Sequence, residues 1–279
     1  MTSTSETRAG IAFGIAAYAS WGFIAVYFKL VGAVPPLEIL AHRIVWSVAI
    51  LLLIITVSRR WPDFAKVVAE PRRLLPLVVS TVLIAVNWFI FIWAVTTSHM
   101  VEASLGYYIN PLVNVLLGFL FLGERLRKLE WTAVALAGAA VTWLAITVGV
   151  IPWVSLALAV SFGVYGLVRK KAGVPSIEGL TIETLILLPL AAGYLAYLGN
   201  AGTLAFGSGS TKLDLLLIAA GPVTALPLLW FASAVRRLRL ATVGLLQYIA
   251  PTIQFTLAVT VYGEPFGHER AVAFALIWT

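Results

Sequence analysis

Residues 105–124 read LGYYINPLVNVLLGFLFLGE, and residues 245–264 read LLQYIAPTIQFTLAVTVYGE. At this offset of 140 residues, Leu105/Leu245, Tyr108/Tyr248, Ile109/Ile249, Pro111/Pro251, Leu117/Leu257, Gly123/Gly263 and Glu124/Glu264 agree. Shared leucines mean little between two apolar helices. A tyrosine, a proline and a Gly-Glu pair in one register mean more. The same offset aligns Pro35/Pro175, Glu38/Glu178 and Leu40/Leu180, and Ser20-Trp21-Gly22 meets Ser161-Phe162-Gly163 one residue further on. The chain is read as two copies of one unit, residues 1–147 and 148–279.

Around these stretches the composition is that of a bilayer-embedded chain. Of 279 residues 61% are hydrophobic and 11% charged, and mean hydropathy is +0.99; soluble domains carry about 25% charged residues. Soluble, disordered and nucleic-acid-binding readings are thereby set aside, despite a pI near 9.8. Cysteine is absent, which removes disulfides and thiolate chemistry. A helix crosses a hydrocarbon core of about 30 Å with about 20 residues. Apolar runs of that kind lie near 9–30, 36–57, 74–97, 100–122, 129–147, 150–168, 176–198, 212–235, 240–262 and 267–279. They are continuous rather than alternating, which favours helices over a barrel. The tenth run stops short at Thr279, so the sequence reads as cut within that helix. Ala17-Tyr18-Ala19 resembles a signal-peptidase site, but the apolar run passes through it, so the first span is read as uncleaved.

Direction follows from the basic residues. Arg8, Arg59, Arg60, Lys66, Arg72, Arg73, Arg125, Arg127, Lys128, Arg169, Lys170, Lys171, Arg236, Arg237 and Arg239 all fall on one side of the ten spans. The positive-inside rule makes that side, and both termini, cytoplasmic. The net charge of +7 is then a topology signal and requires no acidic partner. Five spans per unit is an odd number, so the second copy enters from the opposite side. Inverted repeats of this kind place a substrate site near the midplane of secondary transporters.

The stretches at 87–126 and 236–264 resemble the RarD branch of the EamA group, within the drug/metabolite transporter superfamily. The resemblance covers nearly the whole chain. It implies an all-α integral membrane protein of ten transmembrane helices in two inverted five-helix repeats around a central cavity. It also implies a bacterial inner-membrane location and kinship with YddG-type exporters of aromatic and other neutral amino acids. The second repeat departs at Gly263-Glu264-Pro265, where the first has Gly123-Glu124-Arg125.

Polar groups inside a bilayer are expensive, so they are the site candidates. Tyr107, Asn110 and Asn114 share a helix face by their spacing, and Gln247 and Gln254 occupy equivalent positions of the second copy, beside Tyr248. Pro111 and Pro251 each remove a backbone donor, and two helix breaks at matched positions point to a cavity between the fourth and ninth spans. Cavity lining is preferred to the alternative, kinked helices packed through interhelical amides. Asn87, Trp88, Trp21, Tyr18 and Tyr165 add amide and ring surfaces suited to a ligand with an apolar body and a polar end.

The embedded charges are Arg43, Glu102 and Glu183. Arg43 and Glu102 match in depth, near His42 and His99, and are read as a structural or gating pair in preference to substrate capture or proton coupling. Glu183 is the inverted counterpart of Arg43 and serves an opposite gate or a proton relay. Gly10-x-x-x-Gly14 is read as an internal helix contact, so a monomer or weak homodimer is expected. No H-E-x-x-H, G-x-S-x-G or P-loop is present. Neither an enzyme nor a cofactor nor direct ATP drive is expected. The expected partners are a small-molecule substrate and the lipid bilayer. Multidrug efflux and a non-transport, lipid-active membrane protein are the alternatives.

Overall fold

The computed structural model describes residues 4–96, 100–126, 128–148 and 153–261, except for some side chains within the helices. These residues form helices and no strand: α1 (Thr4–Leu30), α2 (Pro36–Val57), α3 (Trp61–Val68), α4 (Pro71–Thr96), α5 (Met100–Leu122), α6 (Lys128–Val148), α7 (Trp153–Ala172), α8 (Ser176–Asn200), α9 (Thr211–Arg237), α10 (Leu240–Leu246) and α11 (Ile249–Thr260). Among the described residues, six of them are long and apolar enough to cross a membrane, namely α1, α2, α4, α7, α8 and α9. The expected tenth span, 267–279, lies outside the described residues.

Local chemistry sets the helix ends. Pro35 and Pro175 precede α2 and α8 with nearly the same backbone angles, φ −55° with ψ 138° and 149°. In each case an acidic residue, Glu38 or Glu178, sits in the first turn, where the helix dipole favours negative charge. The Ser210 side chain accepts from the Leu213 N–H and caps α9. At the end of α2 the Arg60 N–H reaches the Ile55 carbonyl and the Arg59 N–H reaches Thr56, with Arg59 itself at φ 53°. That is a Schellman closure with arginine in the place glycine usually takes.

Two features differ from the sequence expectation. The connection 58–73 contains α3, an amphipathic turn whose Val67 is buried against Leu77, Val174 and Ile182. The ninth span is interrupted four residues before Pro251: α10 ends at Leu246 and α11 begins at Ile249. Pro251 therefore lies in the first turn of α11, where a missing N–H costs nothing. The Gln247 carbonyl, which proline at position 251 leaves without its i+4 donor, accepts from the Ala250 N–H at 3.2 Å. Pro111 does not break α5, which runs through it. The matched pair of broken helices is thus corrected to one continuous helix and one interrupted by a turn.

Neighbouring spans follow one another in a closed ring: α1, α9, α2, α8, α4, α7, α5, then α10–α11 and back to α1, with α6 packed on α5. Glycines permit the closest approaches. A Cβ on Gly22 would lie 2.7 Å from Ile253, and one on Gly163 would lie 2.6 Å from Val113. Gly10 and Gly14 are both directed inward, against Leu238 and Leu246. At Gly221 the contact is with backbone: an added Cβ would stand 2.5 Å from the Trp46 carbonyl carbon. Ser47 of α2 donates to the Gly221 carbonyl at 3.3 Å in the same place. Gly221→Ala therefore forces α2 and α9 apart and should cost about 1–3 kcal/mol, the usual range for overpacking. Thermal unfolding of the purified variant checks this, and an unchanged transition would show that the joint is looser than described.

Candidate functional site

The interior of the ring is filled by rings. Tyr18 and Trp21 of α1, Phe162 and Tyr165 of α7, and Phe231 of α9 form one cluster, with Trp88 of α4 packed against it. Phe231 is its hub, with ring centroids 5.1 Å from Phe162, 5.7 Å from Trp21 and 6.0 Å from Tyr165, the last pair stacked. Tyr18 meets Trp21 edge-on at 5.5 Å. The Tyr18 hydroxyl is buried and has no hydrogen-bond partner among the described residues.

A charged station lies on each side of this plug. Near the start of α2, Arg43 donates from Nε to Thr224 Oγ1 at 2.8 Å, and its guanidinium lies over Phe28 at 5.7 Å and Trp88 at 5.3 Å. Burying a cation against ring faces recovers part of its lost hydration. On the residue before it, His42 Nε2 is 3.9 Å from Glu38, one turn back, whose carboxylate accepts from the Ala205 N–H at 2.7 Å.

The second station is built on Glu183 of α8. Ser80 of α4 donates to its carboxylate, Tyr165 donates at 3.4 Å, and Arg169 Nε lies 3.6 Å away. Arg169 and Glu183 are both 2% exposed, so this is a charge pair removed from water. Gly179 makes room for it, since a Cβ there would sit 2.0 Å from the guanidinium. Nearby, Arg60 Nε lies 2.8 Å from Glu178, joining the end of α2 to the start of α8.

The amides hold helices together. Asn87 donates to the Leu158 carbonyl and to Ser161 Oγ, both at 2.9 Å, across α4 and α7. Asn114 donates to Gln247 Oε1 at 3.2 Å, across α5 and the α10–α11 turn. Asn110, Asn114 and Gln247 are all buried, and Gly244 packs on the Pro111 carbonyl beside them. The seam that the sequence reading favoured as a cavity is close-packed in this structure. Tyr107 is 39% exposed and meets Phe91 at 6.0 Å, one to two turns nearer the start of α5 than the two asparagines. Tyr248 is half-buried beside the turn. His99 and the side chains of Glu102 and Gln254 lie outside the described residues, and with them the expected Arg43–Glu102 pair.

Sequence reasoning assigned Arg169 only to the topology signal and passed over Thr224 and Phe231. A sequence signal did exist for Glu38 and Glu178, each three residues after a matched proline. A lateral groove of about 550 Å3 runs between α1 and α9, lined by Ser20, Phe23, Tyr27, Pro222, Leu226 and Trp230. Among the described residues no three His, Asp or Glu side chains converge as a metal site would require.

A ring of apolar helices enclosing an aromatic plug between two charged stations is the architecture of a membrane permease. Residues 8–146 match the EamA-like transporter family. The chain belongs to that family, as a RarD/EamA-type permease of the drug/metabolite transporter superfamily. It is 51% identical to an uncharacterized transporter of Vibrio cholerae, over 98% of this chain and 91% of that one. It is 49% identical to the protein RarD of Escherichia coli, over 98% and 92%. A chloramphenicol-sensitive protein RarD of Pseudomonas aeruginosa is 34% identical over 96% and 91%. A protein of known crystal structure shares the fold, with a TM-score of 0.73, 22% identity and coverage of 96% and 94%.

Removing one partner of a buried ion pair strands the other, at about 3–5 kcal/mol, whereas an apolar replacement of both is close to neutral. Arg169→Leu should therefore destabilise the protein strongly, and the double variant Arg169→Leu/Glu183→Leu should recover most of the loss. Equal melting of both variants would remove the pair from the account.

Proposed function

We propose that this chain is a secondary transporter that exports small amphipathic metabolites, neutral or aromatic amino acids first among them, by alternating access. The observation that carries this reading is the aromatic plug bracketed by Arg43 on one side and Glu183–Arg169 on the other. Ring faces suit an apolar body. The Arg43 guanidinium suits a carboxylate, and the unpartnered Tyr18 hydroxyl suits a polar end. Opening one station while the other stays closed admits substrate from one side at a time.

The reading includes ten helices in two inverted five-helix repeats, 1–147 and 148–279, in the bacterial inner membrane with both termini cytoplasmic. Packing supports the repeat. Exchanging each span for its counterpart turns the α1–α9 contact into α7–α4 and the α5–α7 contact into α11–α1, and maps α2–α8 onto itself; all of these contacts are present. Glu38 and Glu178, the matched first-turn acids, are both fully buried.

A second reading is efflux of lipophilic drugs. It is favoured by the apolar groove between α1 and α9, by which a compound dissolved in the bilayer reaches the same helices, and by the name of the Pseudomonas relative. Counterflow in proteoliposomes separates the two. Labelled phenylalanine or leucine should exchange, and Arg43→Ala should weaken their apparent affinity about tenfold or more, the cost of a hydrogen bond to a charged group. Absence of counterflow for every amino acid, with uptake of chloramphenicol, would replace the first reading by the second. Absence of both would favour a non-transport role.

A further inference from the structure

The end of α9 and the start of α10 carry Arg236, Arg237 and Arg239 within four residues. With Lys170 from the end of α7 they line a pocket of about 320 Å3, closed by Thr7 of α1 and Thr242 of α10. Three of the four cations have protein partners. Lys170 lies 3.7 Å from Glu124 and donates to the Val235 and Leu238 carbonyls. Arg237 Nε lies 3.0 Å from Glu6. Arg239 donates to the Arg125 carbonyl. Glu124 is shared further, because it accepts the backbone N–H groups of Leu240 and Ala241 at 2.7 and 3.1 Å.

Arg236 is different. It is exposed, and among the described residues no carboxylate lies within ion-pair distance of it. The charges that act on it are Arg237, Arg169 and Arg60 against Glu178 alone. Among the described residues the carboxylates within ion-pair distance of these four cations are Glu6 and Glu124, with Glu178 acting on Arg236 from further off, and Thr7 and Thr242 place two hydroxyl side chains at the rim of the concave site. The deficit is one of negative charge, and the guanidinium fork matches a phosphate's paired oxygens. The pocket lies where the apolar spans α7 and α9 end, at Ala172 and Arg237, which is headgroup depth for a chain embedded by those helices.

We propose that this pocket binds a phosphate group, supplied by the headgroup of an anionic phospholipid in the leaflet where α7 and α9 end. Basic pockets between membrane helices recognise such headgroups. A bound phosphate relieves the repulsion around Arg236 and ties together α1, α7, α9 and α10, which come from both halves of the chain. The proposal is independent of which substrate is carried.

The test is native mass spectrometry of the purified chain with defined mixtures of phosphatidylglycerol and phosphatidylcholine, together with thermal unfolding in detergent with and without inorganic phosphate. Phosphatidylglycerol should bind about tenfold or more tightly than phosphatidylcholine, and Arg236→Gln should abolish that preference. Arg236→Lys, which keeps the charge but loses the fork, should retain part of it. Arg72→Gln, at an exposed arginine on α4, should retain all of it. Stabilisation by inorganic phosphate that disappears in Arg236→Gln would confirm the site and identify free phosphate as its source. Equal binding of both lipids with no effect of phosphate would overturn the proposal. So would an equal loss in Arg72→Gln and Arg236→Gln, because diffuse surface charge would then account for it. Circular dichroism of each variant establishes that it is folded; should Arg236→Gln fail, the comparison of Arg236→Lys with the unsubstituted chain decides.

Discussion

A carboxylate kept out of water has to be answered by its neighbours, and Glu183 is answered from two other helices. Ser80 reaches it from α4, and Tyr165 and Arg169 reach it from α7. An isolated ion in a low-dielectric interior costs several kcal/mol even after relaxation. Glu183 therefore fixes the relative positions of α4, α7 and α8 at one end of the ring. Tyr165 passes that constraint inward, because its ring stacks on Phe231, the hub of the aromatic plug. Parting these helices at that end means giving up the charge pair and disturbing the plug together. In the proposed reading this coupling makes that end a gate, because the contacts are given up together rather than one by one.

The far station works differently. Arg43 is held by one hydroxyl and two ring faces rather than by a described counter-ion. A cation so placed retains capacity for a carboxylate, whereas Arg169 already faces one in Glu183. In the proposed reading Arg43 and Glu183, counterparts at the 140-residue offset, take unequal tasks, one meeting a ligand and the other closing a passage.

The span pattern was legible because hydrophobic length is a strong signal. The run read at 36–57 is α2 to the residue, and 176–198 is α8 to within one turn. The repeat brought Glu38 and Glu178 into view before their burial was known. Side-chain roles were harder to read. Arg169 belongs by sequence to a basic cluster at a helix end, and only the missing Cβ of Gly179, from another helix, allows it inside. Tyr107 shares a face with Asn110 and Asn114 but lies one to two turns nearer the start of α5, so it meets Phe91 of α4 where Asn114 meets Gln247. Pro251 drew attention to the right helix but the wrong residue, since a proline in a first turn breaks nothing and the turn at Gln247–Tyr248 has no proline of its own. The connection 58–73 was read only for its basic residues, and the spacing of Trp61, Phe64 and Val67 along α3 went unused.

The central claim is that the two stations open in alternation, and it is tested by side-specific labelling of cysteines in this cysteine-free chain. Thr224→Cys reports on the Arg43 station and Ser80→Cys on the Glu183 station, and both positions are buried in this structure. A membrane-impermeant thiol reagent should label Thr224→Cys from one side only and Ser80→Cys from the opposite side only, with a transported substrate changing the two rates in opposite directions. Labelling of both from the same side, or of neither under any condition, would contradict alternating access through this core.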